Sequence, residues 1–247
     1  MFRIQLTDIL VVNDVCETFM PGPGPRLAVM NGHEVVPVIR RIMSLFPKQQ
    51  RVAVKERHPK GHIALASSYK WLEDMTVMTR EVLELQVREY GPSNVLASHA
   101  KFTLEDVRRY LAIVGHFVLW PDHGIAGTPE AELHPEFQES EFAYVLVKGS
   151  HPCEHAYSAF CGDAGTPTEF EDILHMLQGQ RIFGTGLAFD YCVGWLLVHA
   201  ADRGFGAYCI EDATCAVDVP SGSVVKMKER FAKRGVQVIH SSHLLPM

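Results

Sequence analysis

The sequence predicts a doubly wound α/β fold: a mostly parallel six-stranded sheet with helices on both faces, Rossmann-like, carrying an insertion after the second strand. Two observations predict it. Short apolar runs alternate with stretches of helical periodicity along most of the chain. The first of these runs end in polar or charged residues, as strands buried on both faces do when they leave a parallel sheet.

The elements follow in order. "DILVVND" (8–14) reads as the first strand, and "GPGPRLAVMNGHEVVPVIRRIMSLFP" begins as a loop and continues with helical spacing until Pro47. "RVAVKERH" (51–58) is the second strand and "FAYVLVKG" (142–149) the third. "TPTEFEDILHMLQGQ" (166–180) is a helix in which Thr168, with Glu171 three residues on, has the capping-box spacing. The strand "RIFGTGLA", a helix N-capped by Asp190, the strand "GAYCIEDAT", the helix "GSVVKMKERFAKRG" and the strand "VQVIHSS" complete the pattern. Residues 63–119 hold two amphipathic segments, "TREVLELQVREYG" and "TLEDVRRYLAIVG". They fall between two strands of the main pattern, so 1–247 is expected to be one domain with 63–119 inserted in it.

Composition narrows the function. Apolar residues make up 47% of the 247 positions and charged residues 21%, with a net charge of -6. That balance suits a globular enzyme and argues against nucleic acid or an anionic membrane surface as partner. No apolar run would span a bilayer, and no basic segment followed by an apolar stretch opens the chain, so a cytoplasmic protein is expected. The six cysteines show no framework spacing and no Cys-x-x-Cys, which points to free thiols.

In open α/β sheets ligands gather at the carboxyl ends of the strands. The residues expected there are Asp14, Glu56 with His58, Lys148, and Ala188 leading to Cys192. Each has an ordinary reading on its own. Asp14 could cap the next segment, and Lys148 could extend to solvent. Glu56, His58 and His62 could be exposed polar groups, and Trp120 with His123 a packed loop. Cys192 could be a small buried thiol. In the first turn of a helix, however, the N–H groups and the dipole would lower its pKa.

Taken together, the blocks "LVVNDVCETF", "VKERHPKGH", "WPDHGIAGTPEAELHPEF", "VLVKGSHPCEHAYSAF", "GTGLAFDYCVGWLLVHAADRGF" and "EDATCAVD" resemble, in order, the nicotinamidases of the isochorismatase-like cysteine hydrolases. The resemblance covers nearly the whole chain outside 63–119. It implies a catalytic triad of Asp14, Lys148 and Cys192, and an oxyanion hole from the Ala188 and Cys192 N–H groups beside a cis Leu187–Ala188 peptide. It implies Phe19 and Trp120 as walls for the substrate ring, and a divalent metal on Glu56, His58 and His123, with His62 a weaker candidate. Zinc suits these ligands best, and manganese or iron would also fit. The implied reaction is hydrolysis of nicotinamide to nicotinate and ammonia through a cysteine thioester, in NAD salvage. The implied partner is that small molecule, and a homo-oligomer is compatible with the sequence.

Three departures stand out: Glu56 where the family usually has Asp, Phe189 where it has Thr, and "DVCETF" after the first strand, where Cys16 reads as structural. Two alternatives remain open at this point. One is a relative acting on a carbamoyl or ureido substrate, which would lack the metal set. The other is an inactive metal-binding protein on the same fold.

Overall fold

The computed structural model describes residues 1–22 and 27–247. Most of the loop read from "GPGPR" lies outside the described residues. Six parallel strands form the main sheet: β1 Asp8–Asn13, β2 Arg51–Glu56, β3 Tyr144–Lys148, β4 Arg181–Leu187, β5 Gly206–Cys215 and β6 Gln237–Ile239. Their spatial order is β3-β2-β1-β4-β5-β6. The order of strand addition therefore reverses between β1 and β4, which opens a crevice at their carboxyl ends.

Alternation along the strands explains why both faces are covered. In β1, Leu10 and Val12 point into one apolar core with helix α1 (Val35–Met43), built on Val35, Val36, Ile39, Ile42 and Met43. Ile9 and Val11 point into the opposite core, shared by α4 (Phe170–Met176), α5 (Cys192–Asp202) and α6 (Ser223–Arg234). A period of two along the strand thus divides the apolar residues between two layers of helix.

Residues 63–119 carry α2 (Arg80–Tyr90), α3 (Leu104–Val114) and a short antiparallel pair, Val77–Met78 with Phe117–Val118. They enclose a third apolar cluster that includes Leu83, Val107 and Phe117. The stretch begins and ends side by side, because Trp120 N donates to Ala64 O and Ala66 N donates to Trp120 O. Its return delivers Trp120 and His123 to the crevice. α3 starts in a capping box, with Thr103 accepting from Asp106 N and Asp106 accepting from Thr103 N.

Two expected helix starts differ. Glu169, not Thr168, precedes α4, and Thr168 turns back on its own loop, accepting from Phe170 N and donating to Ala159 O. Tyr191 precedes α5 in place of Asp190. The Asp190 carboxylate instead accepts from Val217 N, Asp218 N and Ser223 Oγ, so it holds the segment after β5 against the start of α6. In both cases a short polar side chain finds tertiary donors or acceptors that compete with the local cap.

The amino ends of β1 and β4 are tied by a bidentate ion pair. Arg181 Nε and Nη2 each lie 2.6 Å from an oxygen of the fully buried Asp8. Removing one partner strands a buried charge, which costs about 3–5 kcal/mol. Arg181→Met should lower unfolding free energy by about 3 kcal/mol in chemical denaturation, with activity of the folded fraction unchanged because the pair lies at the edge opposite the crevice.

Candidate active site

Strand register builds the site. Glu56 and Lys148 are direct partners at the carboxyl ends of β2 and β3, and Asn13 pairs with Val54 and with Gly186 at the ends of β1 and β4. Gly186, at φ +101, lets the strand ends close: a Cβ there would sit 1.9 Å from Asn13 O. Asp14 follows β1 in a left-handed conformation, φ 52, a strain often found where a side chain must be aimed. Cys192 is the first residue of α5, and the Leu187–Ala188 peptide before it is cis.

Lys148 is the hub. Its ammonium is buried, 2.8 Å from Glu56 Oε1, 3.1 Å from Asp14 Oδ2, 2.8 Å from Ala156 O and 3.5 Å from Cys192 Sγ. It does not extend to solvent. Asp14 Oδ2 also accepts from Asn13 Nδ2 at 3.0 Å. Asp14 Oδ1 is buried with no partner among the described residues, and a carboxylate oxygen of Asp14 lies within 4.8 Å of the Cys192 sulfur.

The electrostatics follow from burial and these neighbours. Burial raises Asp14 to about 6 despite the opposing pull of Lys148. Burial also acts to raise Glu56, but the Lys148 ammonium beside it overcomes that and holds the carboxyl well below its usual range. Burial opposes the Lys148 charge, and Asp14, Cys192 and Glu56 outweigh that effect, leaving it well above its usual value. Cys192 corrects the sequence expectation. Burial, with Asp14 and Glu56 nearby, pushes its thiol well above the usual value despite Lys148.

The metal-type residues also converge. Oxygen or ring-nitrogen atoms of Glu56, His58, His123 and His155 lie within 4.8 Å of one another, all buried. His58 donates Nδ1–H to Gly149 O at 2.8 Å, and His123 donates Nδ1–H to Pro121 O at 2.7 Å. Those bonds set the tautomer that leaves each Nε2 lone pair facing Glu56 Oε2, at 3.7 and 3.3 Å. The His58 Nε2 has no hydrogen-bond partner among the described residues. This donor set fits a divalent ion. His62 does not join it: Nε2 meets Glu154 O at 3.0 Å and Nδ1 accepts from Ala64 N at 3.2 Å, so both nitrogens are used.

Above Cys192 lies a pocket walled by Phe19, Trp120, Tyr157 and Tyr191 and reaching Glu56, His123 and His155. Trp120 Nε1 donates to Tyr157 Oη at 3.0 Å, and Tyr191 packs against both rings. Phe189 faces away from it, into the core against Phe231. Cys16 is fully buried and pairs by a backbone bridge with Leu133. Sequence reasoning missed His155, Tyr157 and Tyr191. Tyr191 adjoins Cys192, and His155 follows the end of β3, so adjacency to an expected strand end was the one available signal.

A strand-order switch with a cysteine at a helix start, a buried lysine and two carboxylates places the chain among α/β hydrolases. The isochorismatase domain family matches residues 8–243, and the chain belongs to that family. The nicotinamidase of Acinetobacter baylyi is 29% identical over 96% of this chain and 94% of its own. The structure of the Acinetobacter baumanii nicotinamidase pyrazinamidase superposes with a TM-score of 0.78 at 27% identity, covering 97% of this chain and 98% of that one. The L. infantum PnC1 complex with nicotinate shares the fold at TM-score 0.73 and 24% identity, covering 100% and 99%. The Pyrococcus horikoshii pyrazinamidase complex with zinc shares it at 0.65 and 24%, covering 95% and 99%.

In chelator-treated protein, Lys148→Met should cost about 3 kcal/mol or more at neutral pH, since Asp14 and Glu56 lose their counter-charge. Without it both carboxyls rise above their unfolded values, so the loss is full at about pH 8 and shrinks toward about pH 5 as they protonate. Paired denaturation curves across that range measure it.

Proposed function

We propose that the chain hydrolyses nicotinamide to nicotinate and ammonia through a thioester on Cys192, as a step of NAD salvage, with 1–247 acting as one catalytic unit. The observation that carries this reading is the meeting of Cys192, Asp14 and Lys148 at the base of an aromatic cavity lined also by Glu56 and His123, with His58 clustered beside those two. The likeness to nicotinamidases supports the substrate.

In this mechanism the ring lies between Phe19 and Trp120 with its carboxamide over Cys192. Asp14 Oδ1 takes the thiol proton as the sulfur attacks the amide carbon, which raises the nucleophile's reactivity only when substrate is in place. Lys148 stabilises the resulting charge and keeps Asp14 oriented. The N–H groups of Ala188 and Cys192 stabilise the tetrahedral oxyanion, and the Cys192 N–H, in the first turn of α5, has no intrahelical acceptor. Asp14 then gives its proton to the departing amine, releasing ammonia and leaving the thioester. It next takes a proton from water as that water attacks the thioester, and the thiol is restored with nicotinate as product.

A divalent ion on Glu56, His58 and His123 would supply a Lewis-acidic anchor for the pyridine nitrogen, so its contribution is positioning. Zinc is favoured by two imidazoles and a carboxylate, with manganese or iron as the other fits. The neighbour crystallised with zinc supports that choice. Glu56 in place of the shorter Asp reaches both the imidazoles and Lys148 with its two oxygens.

Ammonia release from nicotinamide and from benzamide tests the reading. Nicotinamide should turn over with kcat/KM on the order of 10²-fold or more above benzamide, which has the amide but no ring nitrogen. Equal turnover of the two would contradict it. Cys192→Ala should lose at least about 10⁴-fold in kcat, and Asp14→Asn about 10²–10⁴-fold, both as folded protein by circular dichroism. Glu56→Ala should lose metal on elemental analysis and raise KM, whereas Glu56→Asp should keep both.

A further inference from the structure

We infer that His155 is a fourth protein ligand of the metal site, so that the ion is held by three imidazoles and one carboxylate, with Asp163 as the partner that orients the new ligand. This rests on the metal reading above and extends it to a residue that the sequence did not single out. His155 lies on the segment after β3, seven residues beyond Lys148, whereas His58 and His123 come from other parts of the chain.

The geometry is that of a ligand waiting for a cation. His155 is buried, and neither ring nitrogen has a hydrogen-bond partner among the described residues. A buried imidazole with both nitrogens unpaired is costly, and such groups normally have an ion, a water or a polar neighbour. Here Nε2 lies 3.7 Å from Glu56 Oε1, while Oε2 of the same carboxylate faces His58 and His123. Nδ1 lies 3.6 Å from Asp163 Oδ2. Closing that gap by a few tenths of an ångström would give a carboxylate–imidazole–metal chain, the arrangement that fixes the tautomer of ligating histidines.

His58 and His123 follow the same pattern, Nδ1–H given to a backbone carbonyl and Nε2 aimed inward. Three rings therefore offer the same atom to one point. Donor atoms on a shared ion at about 2.1 Å stand about 3–4 Å apart, close to the spacing present, all four atoms being within 4.8 Å. His62 is the contrasting case. It packs against His58 with ring centroids 4.3 Å apart and planes tilted by 32°, but both its nitrogens are committed, so it buttresses the ligand and binds nothing. Four protein ligands would hold the ion more tightly than three. They would also require coordination above four if a ring nitrogen is to bind as well, which favours an ion at ease with five or six ligands.

The test uses the full-length protein and zinc or cobalt(II) alone, so that it does not depend on turnover. X-ray absorption of the zinc form should count three imidazoles in the wild type and two in His155→Ala. Chelator competition should show zinc affinity about 10²-fold weaker in His155→Ala and His155→Asn, about 10-fold weaker in Asp163→Asn, and unchanged in His62→Gln. The visible spectrum of the cobalt(II) form should change in both His155 variants, with circular dichroism confirming that they are folded. Wild-type protein that binds neither ion overturns the metal reading and this inference together. Metal lost in Glu56→Ala but held by both His155 variants with wild-type affinity and spectrum overturns this inference alone.

Discussion

The site depends on one buried cation. Lys148 sits where two carboxylates and a thiol would otherwise face each other in a water-poor crevice, and its ammonium touches all three. Without it, Asp14 and Glu56 would be two uncompensated acids at neighbouring strand ends, and burial would drive both toward the neutral form. With it, Glu56 stays ionised and able to face imidazoles, while Asp14 rests at about 6, where it can both take and return a proton. The Glu56–histidine cluster and the Cys192 thiol are thus coupled through one side chain.

That placement is a consequence of the fold. Parallel register makes Glu56 and Lys148 neighbours, and the reversal of strand order between β1 and β4 puts Asp14 and Cys192 on the two sides of one crevice. The remaining pieces are brought by loops: Trp120 and His123 by the return of 63–119, and His155 and Tyr157 by the segment after β3.

The sheet was legible because its strands are short apolar runs with polar ends, a pattern few other elements produce, and Asp14, Glu56 and Lys148 could be placed by that alone. Cap geometry was not. Asp190 and Thr168 have the right chemistry for helix starts, yet both find tertiary partners that no local pattern reveals. Exclusion of His62 required seeing where its two nitrogens go, and inclusion of His155 required seeing that its nitrogens go nowhere. The thiol of Cys192 was misjudged because a helix start was weighed without the two carboxylates that burial places beside it.

The claim that Lys148, Asp14 and Cys192 act as one nucleophilic unit is tested most directly with nicotinaldehyde carrying a labelled carbonyl carbon, followed by carbon NMR. An aldehyde has no leaving group, so attack by the thiol stops at a tetrahedral adduct and needs no turnover to be seen. The account predicts a tetrahedral carbon signal with the wild type, none with Cys192→Ala, and an adduct at least about 10-fold weaker with Lys148→Met. An aldehyde signal unchanged by the wild-type protein, or an adduct that persists in Cys192→Ala, would contradict it.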